Sequence, residues 1–346
     1  MTLSRKNKKR PAEKTEVWEN APWLEGAVEE IKAARKSGDT EDPIDVMLYD
    51  PFAIRLTRGF IKSGWPANAV TLMSLFVGIG GSILFYPQNR WINLIGIFVV
   101  LFAAVLDCCD GQIARLTHTS SQLGRVLDGT VDITNFLSIY IVLGLRMMRE
   151  NIPFIESPWA YYIWVVIIVT MYCHASQARL ADYYRGLHLF FLEGVNRSYL
   201  SRVKNLKKEL KSLPKGTPWY EKVYRRIYLV YTKAQEWVTP QAQRLLDAVE
   251  ENKGASEEAS NAYVVKSRRY IQVANLLTYN LRIFTLFILL LLGFHAFYFP
   301  FVVIIMEVIK YFMLAKYEKI ARDVYRQFFS GHGDNSQAAT ASDRKD

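Results

Sequence analysis

The chain is poor in the residues that staple small folds together. Only three cysteines and five histidines occur among its 346 residues. Cys108, Cys109 and Cys173 lie in apolar stretches, so buried thiols are expected, with neither a disulfide framework nor a zinc site. His118, His174 and His295 stand singly without ligand spacing, and no chemistry is assigned to them. The N-terminus, MTLSRKNKKRPAEK, is basic but has no apolar core, so a cleavable signal peptide is not expected. Above all, charge is missing over long runs. Ala69–Tyr86 is 18 residues without Asp, Glu, Lys or Arg, Trp91–Leu106 is 16, Ser157–Ala178 is 22 and Ile283–Met306 is 24. A spanning helix needs about 20 mainly apolar residues, which makes this an integral membrane protein.

What is present then falls into place. The pattern predicts an all-α, multi-pass architecture with six transmembrane helices, at about 67–86, 91–116, 123–148, 158–185, 270–293 and 296–317. The stretch 45–64 mixes apolar residues with Arg55, Arg58 and Lys62, as in a juxtamembrane helix at the lipid surface. A short amphipathic helix or a loose tail is expected around Trp18, Trp23, Leu24, Val28 and Ile31. The domains are a polar N-terminal segment, 1–44, a membrane domain, 45–320, and a polar C-terminal tail, 321–346. Trp91, Trp159, Tyr161 and Tyr162 suit an interfacial belt.

A polar, helical insertion at about 186–269 interrupts the membrane domain. It is rich in Lys and Arg, and its segment NKGASEEASN has the composition of a flexible linker. Its basic content gives affinity for a membrane surface, or it binds a partner. The formal charge of +10 fits the enrichment of cytoplasmic loops in cations, and nucleic acid is not an expected partner. An even number of spans puts both termini, the insertion and the aspartates described next at the cytoplasmic face.

Four aspartates, Asp107, Asp110, Asp128 and Asp132, sit at the ends of two apolar runs, where ionised groups are costly and usually face an interior site. Gly111, Ala114 and Arg115 share a helical face with Asp107 and Asp110. Gly124 and Asp132 share one with Asp128. If the two helices turn back on each other, the carboxylates meet and can hold divalent cations. Hard oxygen donors suit Mg²⁺ or Mn²⁺. The small residues leave room for a bound group, and Arg115 offers several donors to an anion. Together these point to a diphosphate substrate.

The pattern Asp107-x2-Asp110-Gly111-x2-Ala114-Arg115-x8-Gly124-x3-Asp128-x3-Asp132 closely resembles the signature of the CDP-alcohol phosphatidyltransferase family, over about 45–320 apart from much of the insertion. The resemblance implies transfer of a substituted phosphate from a CDP-linked lipid to an alcohol, with release of CMP. It implies a site of two Mg²⁺ or Mn²⁺ ions held by the four aspartates, with Asp132 also the base for the acceptor hydroxyl. Gly111, Ala114 and Gly124 would make room for the nucleotide, and Arg115 would contact donor phosphate. CDP-diacylglycerol, a small polar alcohol and a second copy of the chain are the implied partners. The segment WPANAVT resembles the family's Pro-Asn-x-x-Thr stretch with Ala67 inserted, so that Asn68 and Thr71 either reach the nucleotide or merely cap a helix.

The signature leaves the acceptor open. Arg179 is set like a basic residue of bacterial family members. Lys266, Arg268 and Gln272 resemble a Lys-x-Lys-Thr-x-x-Gln stretch that binds acceptor phosphate, with Arg269 in place of the threonine. Inositol phosphate or glycerol 3-phosphate is thereby favoured over unphosphorylated inositol, serine or choline. The same cations also suit simple anchoring to lipid head groups. Arg282 either pairs with an aspartate or Glu307 or lines the acceptor pocket, and Glu307 and Lys310 are spaced to pair with each other. Two other classes use aspartates in membranes: intramembrane prenyltransferases and divalent-cation transporters. The former usually have more spans and need no Gly-Ala-Arg spacing. The latter line a path with carboxylates, whereas these cluster near one face.

Overall fold

The computed structural model describes residues 39–120, 122–150, 162–194, 200–214 and 216–330. The amphipathic helix expected around Trp18–Ile31, the aromatic residues Trp159 and Tyr161, and the end of the C-terminal tail lie outside them. Every regular element among the described residues is helical. A π turn, Asp45–Tyr49, leads into α1, Asp50–Lys62. Then come α2, Ala67–Ile83, α3, Arg90–Leu116, α4, Gln122–Arg149, and α5, Ile163–Glu193. The insertion folds as α6, Val203–Lys211, α7, Trp219–Val238, and α8, Pro240–Glu251. The chain ends in α9, Glu257–Leu276, α10, Tyr279–Leu292, and α11, Met306–Phe328.

Among the described residues, five helical stretches are long and apolar enough to cross a membrane: α3, Leu127–Arg149 of α4, α5, the α9–α10 pair and His295–Phe328. The remaining expected span, α2, is apolar but has 17 residues, about 25 Å of helix against about 30 Å of hydrocarbon. The count of six is therefore approximate. The spans expose large apolar side chains such as Phe76, Trp91, Phe98, Ile168 and Tyr172. So much apolar surface is what a lipid-facing wall requires.

Helices extend beyond the apolar runs. α5 continues to Glu193, and α9 starts at Glu257, within the segment read as a flexible linker. That reading is corrected by local chemistry. Ser256 caps α9, its Oγ accepting from the Ala259 N–H at 3.1 Å, and Glu257 and Glu258 fill the first turn, where negative charge is favoured.

Glycine sets the closest approach. α2 and α3 form a hairpin, and a Cβ on Gly96 would lie 2.9 Å from the Gly81 carbonyl oxygen, so the backbones touch there. Beside this hairpin, the buried Arg146 of α4 donates to the carbonyls of Phe85 and Pro87 and to Asn93 Oδ1 at 2.9–3.3 Å. Its Nε also holds Glu150 at 2.6 Å. It thus satisfies carbonyls left over where α2 ends.

A second buried network ties α5 to α10 and α11. Arg282 Nη2 donates to Gln177 Oε1 at 2.8 Å, and Gln177 Nε2 donates to Glu307 Oε1 at 3.0 Å. Lys310 completes the line, 2.5 Å from Glu307 and 3.2 Å from Ser176 Oγ. The expected Glu307–Lys310 pair is present, and Arg282 reaches Glu307 through Gln177.

Candidate active site

Most of the signature sits where α3 ends and α4 begins. α3 stops in a Schellman turn: the Thr119 N–H reaches the Ala114 carbonyl at 2.9 Å and the His118 N–H reaches Arg115 at 3.3 Å. His118 takes the left-handed conformation this turn needs, with φ 56°. After the reversal α4 packs against α2, with the Ser82 and Ser138 hydroxyls 3.0 Å apart. One carboxylate oxygen each from Asp107, Asp110 and Asp128 then lies within 4.8 Å of the others. Asp110 is buried, and Asp107 and Asp128 are half-buried. Three converging hard oxygen donors fit a divalent cation such as Mg²⁺ or Mn²⁺.

Asp132 lies one turn further along α4 and is exposed. Its charge and that of Asp107 both act on the Tyr279 hydroxyl at the start of α10. Gly111 and Arg115 are directly related. A Cβ at 111 would stand 3.1 Å from Arg115 Nη1 and 3.5 Å from Nη2, so the guanidinium folds back over the glycine. Ala114 and Gly124 are half-buried on the same two helices. At the start of α2, Thr71 is buried and bonds to the Ala67 carbonyl at 3.1 Å, while Asn68 is exposed. Pro66 takes the N-cap position, and no side chain caps that end; neither Asn68 nor Thr71 is a cap.

α1 braces the motif helix. Thr57 Oγ1 donates to Gln112 Oε1 at 3.1 Å, Gln112 Nε2 donates to Asp50 at 3.1 Å, and Cys109 Sγ reaches the Ala53 carbonyl at 3.4 Å. Cys109 packs with Ala53, Val70, Leu106 and Ile113 in one small apolar cluster.

Of the residues read as acceptor-phosphate ligands, Arg179 lies on α5, and Lys266 and Arg268 lie on α9. Arg179 gives its carbonyl to Gln235 at 3.0 Å, and its guanidinium stands 6.0 Å from the Tyr231 ring. Lys266 is half-buried on α9. Arg268 donates to Asp39 at 2.7 Å.

Sequence reading missed the strap that makes this last contact. Residues 39–50 run across the α9–α10 junction. The Glu41 carbonyl accepts from Asn275, and Asn280 Nδ2 donates to both Asp42 and Asp45, at 2.9 and 2.7 Å. Arg185 grips the same junction through Asn275 Oδ1, at 2.6 and 3.0 Å. Burial, partly offset by the Asn280 hydrogen bond and reinforced by Asp42, raises the Asp45 carboxyl to about 6. Arg115 lies in the field of Asp50, Glu41 and Asp110. The available signal was five acidic residues within 39–50 of a strongly basic chain.

The segment that contains this site is similar to known proteins. Residues 65–185 match the family described as CDP-alcohol phosphatidyltransferase. A putative cardiolipin synthase of Mycobacterium tuberculosis is 44% identical over 57 residues, covering 16% of this chain and 25% of that protein. The archaetidylinositol phosphate synthase of Pyrococcus horikoshii is 29% identical over 110 residues, 32% of this chain and 57% of that protein. Choline/ethanolaminephosphotransferase 1 of Arabidopsis thaliana is 26% identical over 140 residues, 35% of this chain and 36% of that protein. The chain thus spans between a quarter and just over half the length of these relatives.

Proposed function

We propose that this protein transfers a phosphatidyl group from CDP-diacylglycerol to a small polar alcohol and releases CMP. The observation that carries the reading is the convergence of Asp107, Asp110 and Asp128 within 4.8 Å at the α3–α4 turn, inside a segment that matches the family. With Asp132 they would hold two Mg²⁺ or Mn²⁺ ions. Such ions, when bound, neutralise the donor diphosphate and the charge that builds on departing CMP. Arg115, folded over Gly111, holds donor phosphate. Gly111, Ala114 and Gly124 leave space for the nucleotide, and Asn68 and Thr71 reach it from α2. Asp132, exposed beside the cluster, takes the acceptor's hydroxyl proton. The acceptor oxygen then bonds to the lipid phosphorus, and the bond from that phosphorus to CMP breaks.

A phosphorylated acceptor, inositol phosphate or glycerol 3-phosphate, is the first reading. It is supported by the cations Arg179, Lys266 and Arg268 and by the relatives whose names specify an inositol phosphate product. One observation favours an unphosphorylated acceptor such as inositol or serine instead: Arg268 is already matched by Asp39. An acceptor panel decides between them. Inositol 1-phosphate, glycerol 3-phosphate, inositol and serine are each offered with CDP-diacylglycerol and Mg²⁺ or Mn²⁺, and CMP is measured. Turnover with phosphorylated acceptors alone supports the first reading, and turnover with free inositol or serine alone supports the second. Prenyl diphosphate turnover without CMP release, or metal flux independent of CDP-lipid, would replace both.

The reading includes a homodimer, which rests on the family resemblance. It also places the termini and the active site at the cytoplasmic face, supported by the basic insertion. Labelling of Glu251→Cys in intact cells by a membrane-impermeant thiol reagent would contradict that orientation.

A further inference from the structure

α7 carries an apolar face that is exposed among the described residues. Trp219, Val223, Ile227, Val230 and Trp237 are exposed, at 76%, 42%, 64%, 67% and 81%. At 100° per residue they fall within about 80° of arc, a single stripe along the whole helix. Lys222, Arg226 and Lys233 form a second row directly beside it, with Arg226 and Lys233 exposed. The opposite side faces the protein: Thr232 and Gln235 are buried there, and Tyr228 donates to Ser201 Oγ at 3.1 Å. An apolar stripe bounded by tryptophans, with cations along one edge, is the pattern of a helix lying in a lipid interface.

The height of α7 points to lipid. Gln235 Nε2 donates to the Arg179 carbonyl at 3.0 Å, and the Arg179 guanidinium lies over Tyr231. Arg179 is the first charged residue of α5 after Ile163, about 24 Å along the helix. α7 is thus fastened to a spanning helix at the level where that helix leaves the hydrocarbon.

We propose that α7 is an interfacial helix. Its Trp219–Trp237 stripe inserts among the acyl chains of the cytoplasmic leaflet, and Lys222, Arg226 and Lys233 bind the phosphates of anionic lipids. Substrate lipid enters the signature site from the same leaflet. The surface therefore concentrates anionic lipid beside the enzyme. The orientation of this helix is independent of the acceptor's identity and of the transfer reaction itself.

The test uses the full chain in nanodiscs of phosphatidylcholine, with or without phosphatidylglycerol. A nitroxide is attached at Ile227→Cys or Val230→Cys, and labelling of the native cysteines is subtracted with the unsubstituted protein. Collision with oxygen, which partitions into lipid, is compared with collision with a water-soluble nickel chelate. The expected result is oxygen collision several-fold above nickel collision, strengthened by phosphatidylglycerol. Combined Arg226→Glu and Lys233→Glu should remove that strengthening. Dominant nickel collision would mean a solvated helix and would overturn the proposal. Shielding from both reagents would mean a protein contact, such as a second copy, and would also overturn it. Equal insertion with and without phosphatidylglycerol would overturn the assignment to anionic lipid.

Discussion

Arg268 and Asp39 are joined by a 2.7 Å hydrogen bond across 229 positions of sequence. The contact sets an N-terminal carboxylate on a cation that the family resemblance assigns to acceptor phosphate. Both partners are solvent-accessible, at 51% and 29%, so the pair is worth no more than about 1 kcal/mol. That is small enough for a phosphate to displace Asp39. If Arg268 serves the acceptor, Asp39→Asn should lower the KM for a phosphorylated acceptor by up to about fivefold. Arg268→Ala should raise it, with kcat little changed. Steady-state CMP release at varied acceptor checks both, and an unchanged KM in the two variants would remove Arg268 from the acceptor site.

Gly111 exists in this chain for its lack of a Cβ. Gly111→Ala would put a methyl 3.1 Å from Arg115 Nη1 and push the guanidinium off its perch. A loss of about tenfold or more in kcat/KM for CDP-diacylglycerol is expected, equivalent to about 1.4 kcal/mol of transition-state binding. The thermal midpoint should stay near wild type, because Arg115 has a flexible stem. Undiminished donor kinetics would show that Arg115 does not touch the donor from this position.

The strap carries a pH dependence of definite sign. The Asp45 carboxyl is raised to about 6 in the folded protein, against about 4 in an unfolded chain. Its contribution is therefore fully present below pH 4 and lost as pH rises through 6. The loss is at most about 3 kcal/mol. Asp45→Asn keeps an acceptor for Asn280 without the charge. It should flatten the pH dependence of thermal unfolding between pH 4 and 7 and stabilise the protein at pH 7. Identical profiles for variant and wild type would contradict the burial argument.

Much of this architecture was readable in the sequence, because charge-free runs and the fixed spacing from Asp107 to Asp132 are local signals. The helices followed the runs, and the meeting of Asp110 with Asp128 followed from helical periodicity plus one turn. What was not readable depended on contacts distant in sequence. Asn280 has no local reason to be special until Asp42 and Asp45 arrive from the far end of the chain. α2 is shorter than its apolar run because the chain turns after Ile83 toward the Asn89 cap of α3, whose Oδ1 accepts from the Trp91 N–H at 2.9 Å. The start of α9 was misread because Gly254, Ser256 and two glutamates have a linker's composition, yet the same serine and glutamates are a helix-start pattern.

The polar line from Arg282 to Lys310 is a buried network with a cost for breaking it. Arg282 is 1% exposed and relies on Gln177 Oε1 and the Thr278 carbonyl. Gln177→Leu leaves both Arg282 and Glu307 short of a partner and should destabilise the protein by about 3 kcal/mol or more. The measurement is thermal or denaturant unfolding in a fixed detergent. A second substitution, Arg282→Met, should recover part of that loss. A near-neutral Gln177→Leu would show that the network is not a structural tie.

On the proposed reading, the aspartates at the α3–α4 turn drive a metal-dependent transfer from a CDP-lipid. Its most direct measurement is CMP release from CDP-diacylglycerol, with the four acceptors of the panel, for wild type and Asp128→Asn. The expected result is release that requires Mg²⁺ or Mn²⁺ and disappears with chelator. Loss of at least about a thousandfold is also expected in the variant, which should still insert in the membrane and elute as wild type does. Metal-independent release, or an Asp128→Asn variant as active as wild type, would contradict the account.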